Sequence, residues 1–199
     1  MSRTEEGPLT ESTEAGLIAR LRAGDLDALG DLYRLLGGAM TTLAVSLLRD
    51  RDEADDVVEQ ALMRVREAAR GFRGDRGLRT WTLRIVTNLC RDRLRRARKM
   101  AGTEDDAALA GDPALRVTPV ADWDLRLDQA KVLAALERAI AALPDAQREA
   151  VLLRDRLGLP YAEVAATLGV NEGVVKSRLF RAREALRRRL AAEFGEDLS

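Results

Sequence analysis

Residues 161–190 read YAEVAATLGVNEGVVKSRLFRAREALRRRL, and the apolar spacing within them sets the architecture of this end of the chain. Val164, Ala165 and Leu168 mark the inward face of a short helix. Ala165 is small enough for a second helix to approach closely. Gly169 can take the left-handed conformation that a tight turn between helices needs. Asn171 can cap the second helix. Val175, Leu179, Ala182 and Leu186 then fall at steps of four, three and four, one stripe of that helix. Its opposite face carries Glu172, Lys176, Ser177, Arg181 and Arg188. This is the grammar of a helix-turn-helix, in which the second helix lies in the DNA major groove. The plain alternative is a helical hairpin with solvated charge. The combination of small alanine, turn glycine, apolar stripe and basic, hydroxyl-bearing face favours DNA.

Upstream, 199 residues with 46% hydrophobic content suffice for two small cores. Aromatics are only 4%, and Ala, Leu, Arg and Glu dominate, so the composition predicts an all-α chain. Lys+Arg and Asp+Glu balance at 33 each, which would argue against a nucleic-acid partner, but the charges are segregated. From 79 to 99, Arg79, Arg84, Arg91, Arg93, Arg95, Arg96, Arg98 and Lys99 oppose only Asp92. Matching of the helix dipole accounts for the last turn but not for Arg79 or Arg84. Asn88 adds a mid-helix amide that can hydrogen-bond a base edge, and the glycine-rich loop 71–77 ahead of it can wrap an unstacked base. Within 103–128, Glu104, Asp105, Asp106, Asp112, Asp122, Asp124 and Asp128 face only Arg116 and Arg126. Such a long polar stretch with two prolines predicts a domain boundary.

The periodicity predicts a tail at 1–13 and then two helices within 14–36, broken near Ala23-Gly24-Asp25. Gly37-Gly38 is expected to loosen the next turn. A helix over about 53–70 turns Ala54, Val57, Val58, Ala61, Leu62 and Val65 inward and Glu53, Asp55, Asp56 and Glu59 outward. A longer helix over 79–99 is expected to bury Trp81, Ile85, Val86, Leu89, Cys90 and Leu94. The resulting organisation is a helical domain of four to five helices at 14–100, a flexible acidic linker at 101–127, a four-helix domain at 128–194 and a tail at 195–199.

The segments together resemble a known family, the extracytoplasmic-function sigma factors of the sigma-70 class. GFRGDRGLRTWTLRIVTNLCRDRLRRARK, 71–99, resembles their promoter-melting segment through Trp81, Arg84-Ile85, Asn88-Leu89 and Asp92-Arg93-Leu94-Arg95. DEADDVVEQALMRV, 52–65, resembles their polymerase-clamp-binding helix, and 161–190, preceded by LPDAQREAVLLRD at 143–155, their minus-thirty-five reader. The family often has Leu-Tyr after the tryptophan, where Thr82 and Leu83 stand here, and often Phe where Leu62 stands. The resemblance implies that Asp55, Asp56, Val58, Glu59 and Gln60 face core RNA polymerase. It implies that the loop, with Phe72, Arg73, Gly74 and Asp75, together with Trp81 and Asn88, takes a flipped base of the minus-ten element on the single-stranded non-template strand. Arg84, Arg91 and Arg95 would hold nearby phosphates. Glu172, Gly173, Lys176, Ser177, Arg178 and Arg181 would meet the minus-thirty-five duplex. An anti-sigma factor is the implied regulatory partner.

Two other classes compete. A stand-alone helix-turn-helix regulator would use 161–190, but no heptad seam for a dimer is visible, and it leaves 53–70 and 79–99 unexplained. An enzyme is disfavoured because the chain has no His, which removes the usual general base and the commonest metal ligand. Neighbouring carboxylates such as Asp55-Asp56 point about 100° apart on a helix and do not converge on a metal. The single cysteine, Cys90, excludes an internal disulfide and any multi-cysteine metal site. No phosphate-cradling Gly-x-x-x-x-Gly-Lys-Ser/Thr loop is present. No catalytic residue, metal or cofactor is therefore expected. The N-terminus is polar and acidic, unlike a signal peptide, and no apolar run approaches the roughly 20 residues of a membrane span. A cytoplasmic protein is expected.

Overall fold

The computed structural model describes residues 11–74, 76–102 and 125–194. Most of the expected linker, residues 1–10 of the expected N-terminal tail and the C-terminal tail lie outside these residues, whereas 11–13, expected as tail, already belong to the first helix. The chain divides into two compact units, Met1–Ala97 and Arg98–Ser199. Among the described residues every regular element is helical, as the composition predicts.

The first unit holds α1 (Glu11–Ala23), α2 (Asp27–Leu48), α3 (Arg51–Ala68), a 3-10 turn at Ala69–Gly71, and α4 (Leu78–Met100), whose last residues pass the unit boundary. The break between α1 and α2 falls at Gly24, which has φ of 80°. There Asp25 accepts from the Asp27 N–H at 2.9 Å, and Arg20 Nε bonds its carboxylate at 2.7 Å. The side chain of Asp50 caps α3 by accepting from Glu53 N–H at 3.0 Å. Leu32, Met40 and Leu43 on α2, Val57 and Val65 on α3, and Leu78, Leu83 and Val86 on α4 are all fully or almost fully buried. Each such side chain contributes about 1.5–3 kcal/mol of hydrophobic transfer.

Two expectations need correcting. First, α2 runs through Gly37-Gly38 without a break. Gly37 is buried, and the Tyr33 ring lies 2.9 Å from where its Cβ would stand. Packing here outweighs the roughly 1 kcal/mol per residue that glycine costs a helix. Secondly, the buried side of α4 is rotated from the predicted stripe. Leu78, Leu83, Val86, Leu89 and Cys90 are buried together with Thr80, Thr82 and Thr87, whereas Trp81, Ile85 and Leu94 are only partly covered. Threonine can serve inside a helix because its hydroxyl can bond back to the preceding turn. Thr87 Oγ1 does so, donating to the Leu83 carbonyl at 2.8 Å.

The second unit holds α5 (Leu125–Ala141), α6 (Asp145–Val151) continued by a π-helical turn at Leu152–Arg156, α7 (Tyr161–Leu168) and α8 (Glu172–Phe194). Thus α5 starts within the stretch expected as linker. Pro144 precedes α6 and Pro160 precedes α7, where a missing N–H costs nothing. Ala135, Ala139, Leu143, Ala150, Leu152, Leu153, Leu159, Val164, Leu168, Val175 and Leu179 form the core.

Candidate nucleic-acid interface

Three surfaces emerge, two basic and one acidic. The first is on α7 and α8. Gly169 ends α7 at φ 70°, ψ 34°, with its N–H returned to the Ala165 carbonyl. Asn171 caps the next helix, accepting from Val174 N–H at 2.9 Å. Val175, Leu179, Ala182 and Leu186 are all buried, so the predicted stripe fixes the rotation of α8. That rotation exposes Glu172, Gly173, Lys176, Ser177 and Arg181, with Arg178 half-buried beside them. The sequence reading missed Phe180, which is 69% exposed between Ser177 and Arg181. Its signal was a large apolar residue out of register with the stripe. Tyr161, at the start of α7, lies beneath two cations: the Arg154 guanidinium at 5.0 Å and Lys176 Nζ at 6.0 Å from the ring centroid. Such stacking restrains a side chain that would otherwise be free to rotate.

Not every cation of α8 serves this surface. Arg183 makes a two-pronged contact with Asp155, at 2.6 and 3.3 Å. That hydrogen bond is the main reason its pKa lies above the ordinary arginine value, opposed by partial burial. Arg187 pairs with Glu184 one turn away on α8.

The second surface is on α4. Arg84, Asn88, Arg91 and Arg95 follow at steps of four, three and four, one line along the helix, and Trp81 begins it. Asn88 and Arg95 are exposed, while Trp81, Arg84 and Arg91 are half-buried. Arg95 also meets Asp92 at 2.8 Å, an exposed pair of small energetic weight. Phe72 lies 8% exposed, stacked on Trp81 with centroids 4.2 Å apart and planes at 15°. One face of the indole is thus occupied from within, by the residue expected to meet DNA. Arg73 is exposed, Gly74 has φ of 85°, and Asp75 lies outside the described residues.

The third surface is on α3. Asp55, Asp56, Glu59 and Gln60 are exposed along it. Val58, expected beside them, is 4% exposed and packs into the core, because its position follows the inner stripe. Arg93 of α4 bonds Glu53 and lies 3.5 Å from Asp56, joining the acidic helix to the basic one. Among the described residues no cluster of three or more His, Cys, Asp or Glu is placed to hold a metal ion. None of the described helices is long and apolar enough to cross a membrane.

Residues 32–100 match the family model described as Sigma-70 region 2, and residues 133–186 match Sigma-70, region 4. The chain is 39% identical over 180 residues to the ECF RNA polymerase sigma factor SigM of Mycobacterium tuberculosis, spanning 90% of this chain and 86% of that one. Over 183 residues it is 32% identical to the RNA polymerase sigma-H factor of Pseudomonas aeruginosa, spanning 89% of this chain and 94% of the relative. Among solved structures it resembles CnrH, determined in complex with the cytosolic domain of CnrY, with a TM-score of 0.66 and 27% identity over 90% of this chain and 98% of that one. It also resembles the sigma factor RpoE of Bartonella quintana, determined in complex with the anti-sigma factor NepR, with a TM-score of 0.67 and 26% identity over 82% and 97% of the two chains.

Proposed function

The chain belongs to the extracytoplasmic-function group of RNA polymerase sigma factors, and from that premise we propose how its three surfaces divide the work of transcription initiation. Residues 14–100 hold core RNA polymerase and the minus-ten element, and residues 128–194 read the minus-thirty-five element. Residues 101–127 connect them, with 1–13 and 195–199 as tails. On α3, Asp55, Asp56, Glu59 and Gln60 meet the polymerase clamp, and Val58 supports them from the core. On α8, Glu172, Gly173, Lys176, Ser177, Arg178 and Arg181 meet the duplex, with Phe180 against it. On α4, Arg84, Arg91 and Arg95 hold phosphates of the opened non-template strand. Asn88 and the open side of Trp81 take an unstacked base beside Arg73, Gly74 and Asp75.

The observation that carries this reading is the pair of basic helical stripes on two separate units, one following a helix-turn and the other following a glycine loop. Opening DNA then draws on binding energy. Unstacking one base costs a few kcal/mol, which a fitted site offsets. Stacking and phosphate contacts hold the rest of the strand. No chemical step is needed, so the chain acts in the cytoplasm as a non-enzymatic initiation factor. An anti-sigma factor restrains it, as its resemblance to a sigma factor solved with such a partner supports. Run-off transcription with purified core polymerase on a genomic promoter library tests the whole reading. Transcripts from a subset of promoters are expected, and none from any promoter would refute it. Within that assay, Asn88→Ala should impair opening while leaving duplex binding unchanged.

A further inference from the structure

The loop that leads into α4 is tied at both ends to α1, a helix that precedes the stretch matched by the region 2 model. At the far end, α4 starts at Leu78, so the residue ahead of it is Gly77. Gly77 accepts the first helical hydrogen bond, from Trp81 N–H at 3.1 Å, but has no side chain to cap the N–H groups of the first turn. Glu14 of α1 performs that task from outside, its carboxylate accepting from the Leu78 N–H. At the near end, Arg22 Nε donates to the Phe72 carbonyl at 3.0 Å, and Nη2 bonds the same oxygen. Phe72 is fixed from two further sides. Its N–H donates to the Ala69 carbonyl at 3.1 Å, and its ring stacks on Trp81. Buried Leu17 and Leu21 seat α1 between these two contacts. Glu14 and Arg22 stand eight residue steps apart on the helix, so the two bonds span about 12 Å along α1.

We infer that α1 is a brace, with Glu14 and Arg22 as positioning residues that hold the two ends of this loop, at Phe72 and Leu78, in place for capture of the opened strand. The inference rests on the reading of that loop given above. Gly74 and Gly77 stand at φ of 85° and 70°, and glycines give an untied loop many competing conformations. Ordering such a loop on binding would subtract from affinity for the strand. Tying both ends to α1 places that ordering in the folded protein, before DNA arrives. The two polar contacts land on backbone atoms at the loop's edges, the Phe72 carbonyl and the Leu78 N–H, rather than on core side chains. Their loss should therefore disturb the loop more than the fold.

Glu14→Ala and Arg22→Ala in the full chain test this, with Arg22→Lys and Glu14→Gln as variants that keep a donor and an acceptor. Asn88→Ala serves as the reference for the strand site. The chain has two tryptophans, so Trp123→Phe leaves Trp81 emission as a direct report on the loop. Each alanine variant, assembled with core polymerase, is expected to bind a single-stranded non-template oligonucleotide about tenfold more weakly, the equivalent of one lost charge-assisted hydrogen bond. Trp81 emission should shift to the red, affinity for core polymerase should hold, and the Lys and Gln variants should recover most of the loss. Wild-type emission and strand binding in both alanine variants, beside a defective Asn88→Ala, would overturn the brace and leave the loop reading intact. An equal fall in core-polymerase affinity would make α1 a structural support only and also overturn it. A fully active Asn88→Ala would instead remove the strand site on which the inference rests.

Discussion

Thr82 Oγ1 lies fully buried on α4 and has no hydrogen-bond partner among the described residues. A buried hydroxyl without a partner carries a desolvation cost of about 1–3 kcal/mol. Thr82→Val keeps the shape and removes the hydroxyl, so it should stabilise the first unit by about 1 kcal/mol. A higher urea midpoint with an unchanged slope would show this, and a lower one would mean that the hydroxyl is satisfied in solution. On α8 the same residue-by-residue accounting separates two kinds of cation. Lys176 is exposed on the side proposed to meet the duplex, whereas the Arg183 guanidinium is held by Asp155. Lys176→Ala should lower the dependence of log affinity on log salt by about 0.9, the value of one phosphate contact. Arg183→Ala should leave that slope alone and lower stability instead. Salt titrations of promoter duplex binding distinguish them, and equal slopes for wild type and Lys176→Ala would remove Lys176 from the interface.

Elements were more legible in the sequence than the directions in which they face. The helix-turn-helix was readable to the residue, since Gly169, Asn171 and the 175–179–182–186 stripe each have one physical reason to be there. The acidic and basic helices were readable as charge runs. The rotation of α4 was not, because threonine counts as polar in a periodicity reading and yet Thr80, Thr82 and Thr87 all bury here, Thr87 with its hydroxyl bonded back to the helix. The brace from α1 was equally hidden, since its bonds join residues 50 and 64 apart in the chain through backbone atoms. The turn that starts α2 offers a test at this scale. The Arg20 guanidinium beside Asp25 holds that carboxyl below the usual carboxylate range. A depressed folded pKa stabilises the fold above the unfolded value, about 3.9 for aspartate, and the benefit is lost as pH falls through the folded value. Thermal melts of wild type and Asp25→Asn should therefore differ near neutrality and converge as the pH drops below about 4. A constant difference across that range would show that the carboxyl charge contributes nothing.

At the scale of the whole molecule, the proposed function has two basic surfaces act on one promoter. Covalent connection makes the second contact intramolecular, at an effective concentration on the order of millimolar for a short linker. That gain needs no new interface, only an unbroken chain between the units. A protease site placed between residues 103 and 124 lets the connection be cut after folding. Before cleavage, such a protein should direct transcription like wild type. After cleavage, the second unit should keep the duplex salt slope set by Lys176 and its neighbours, because its contacts are unchanged. Promoter-directed run-off at equal concentration should nonetheless fall by roughly 100-fold or more, the lower end of the avidity range for linked sites. Full activity of the nicked protein would mean that polymerase alone brings the two units together, and the chain between them would then serve neither affinity nor promoter choice.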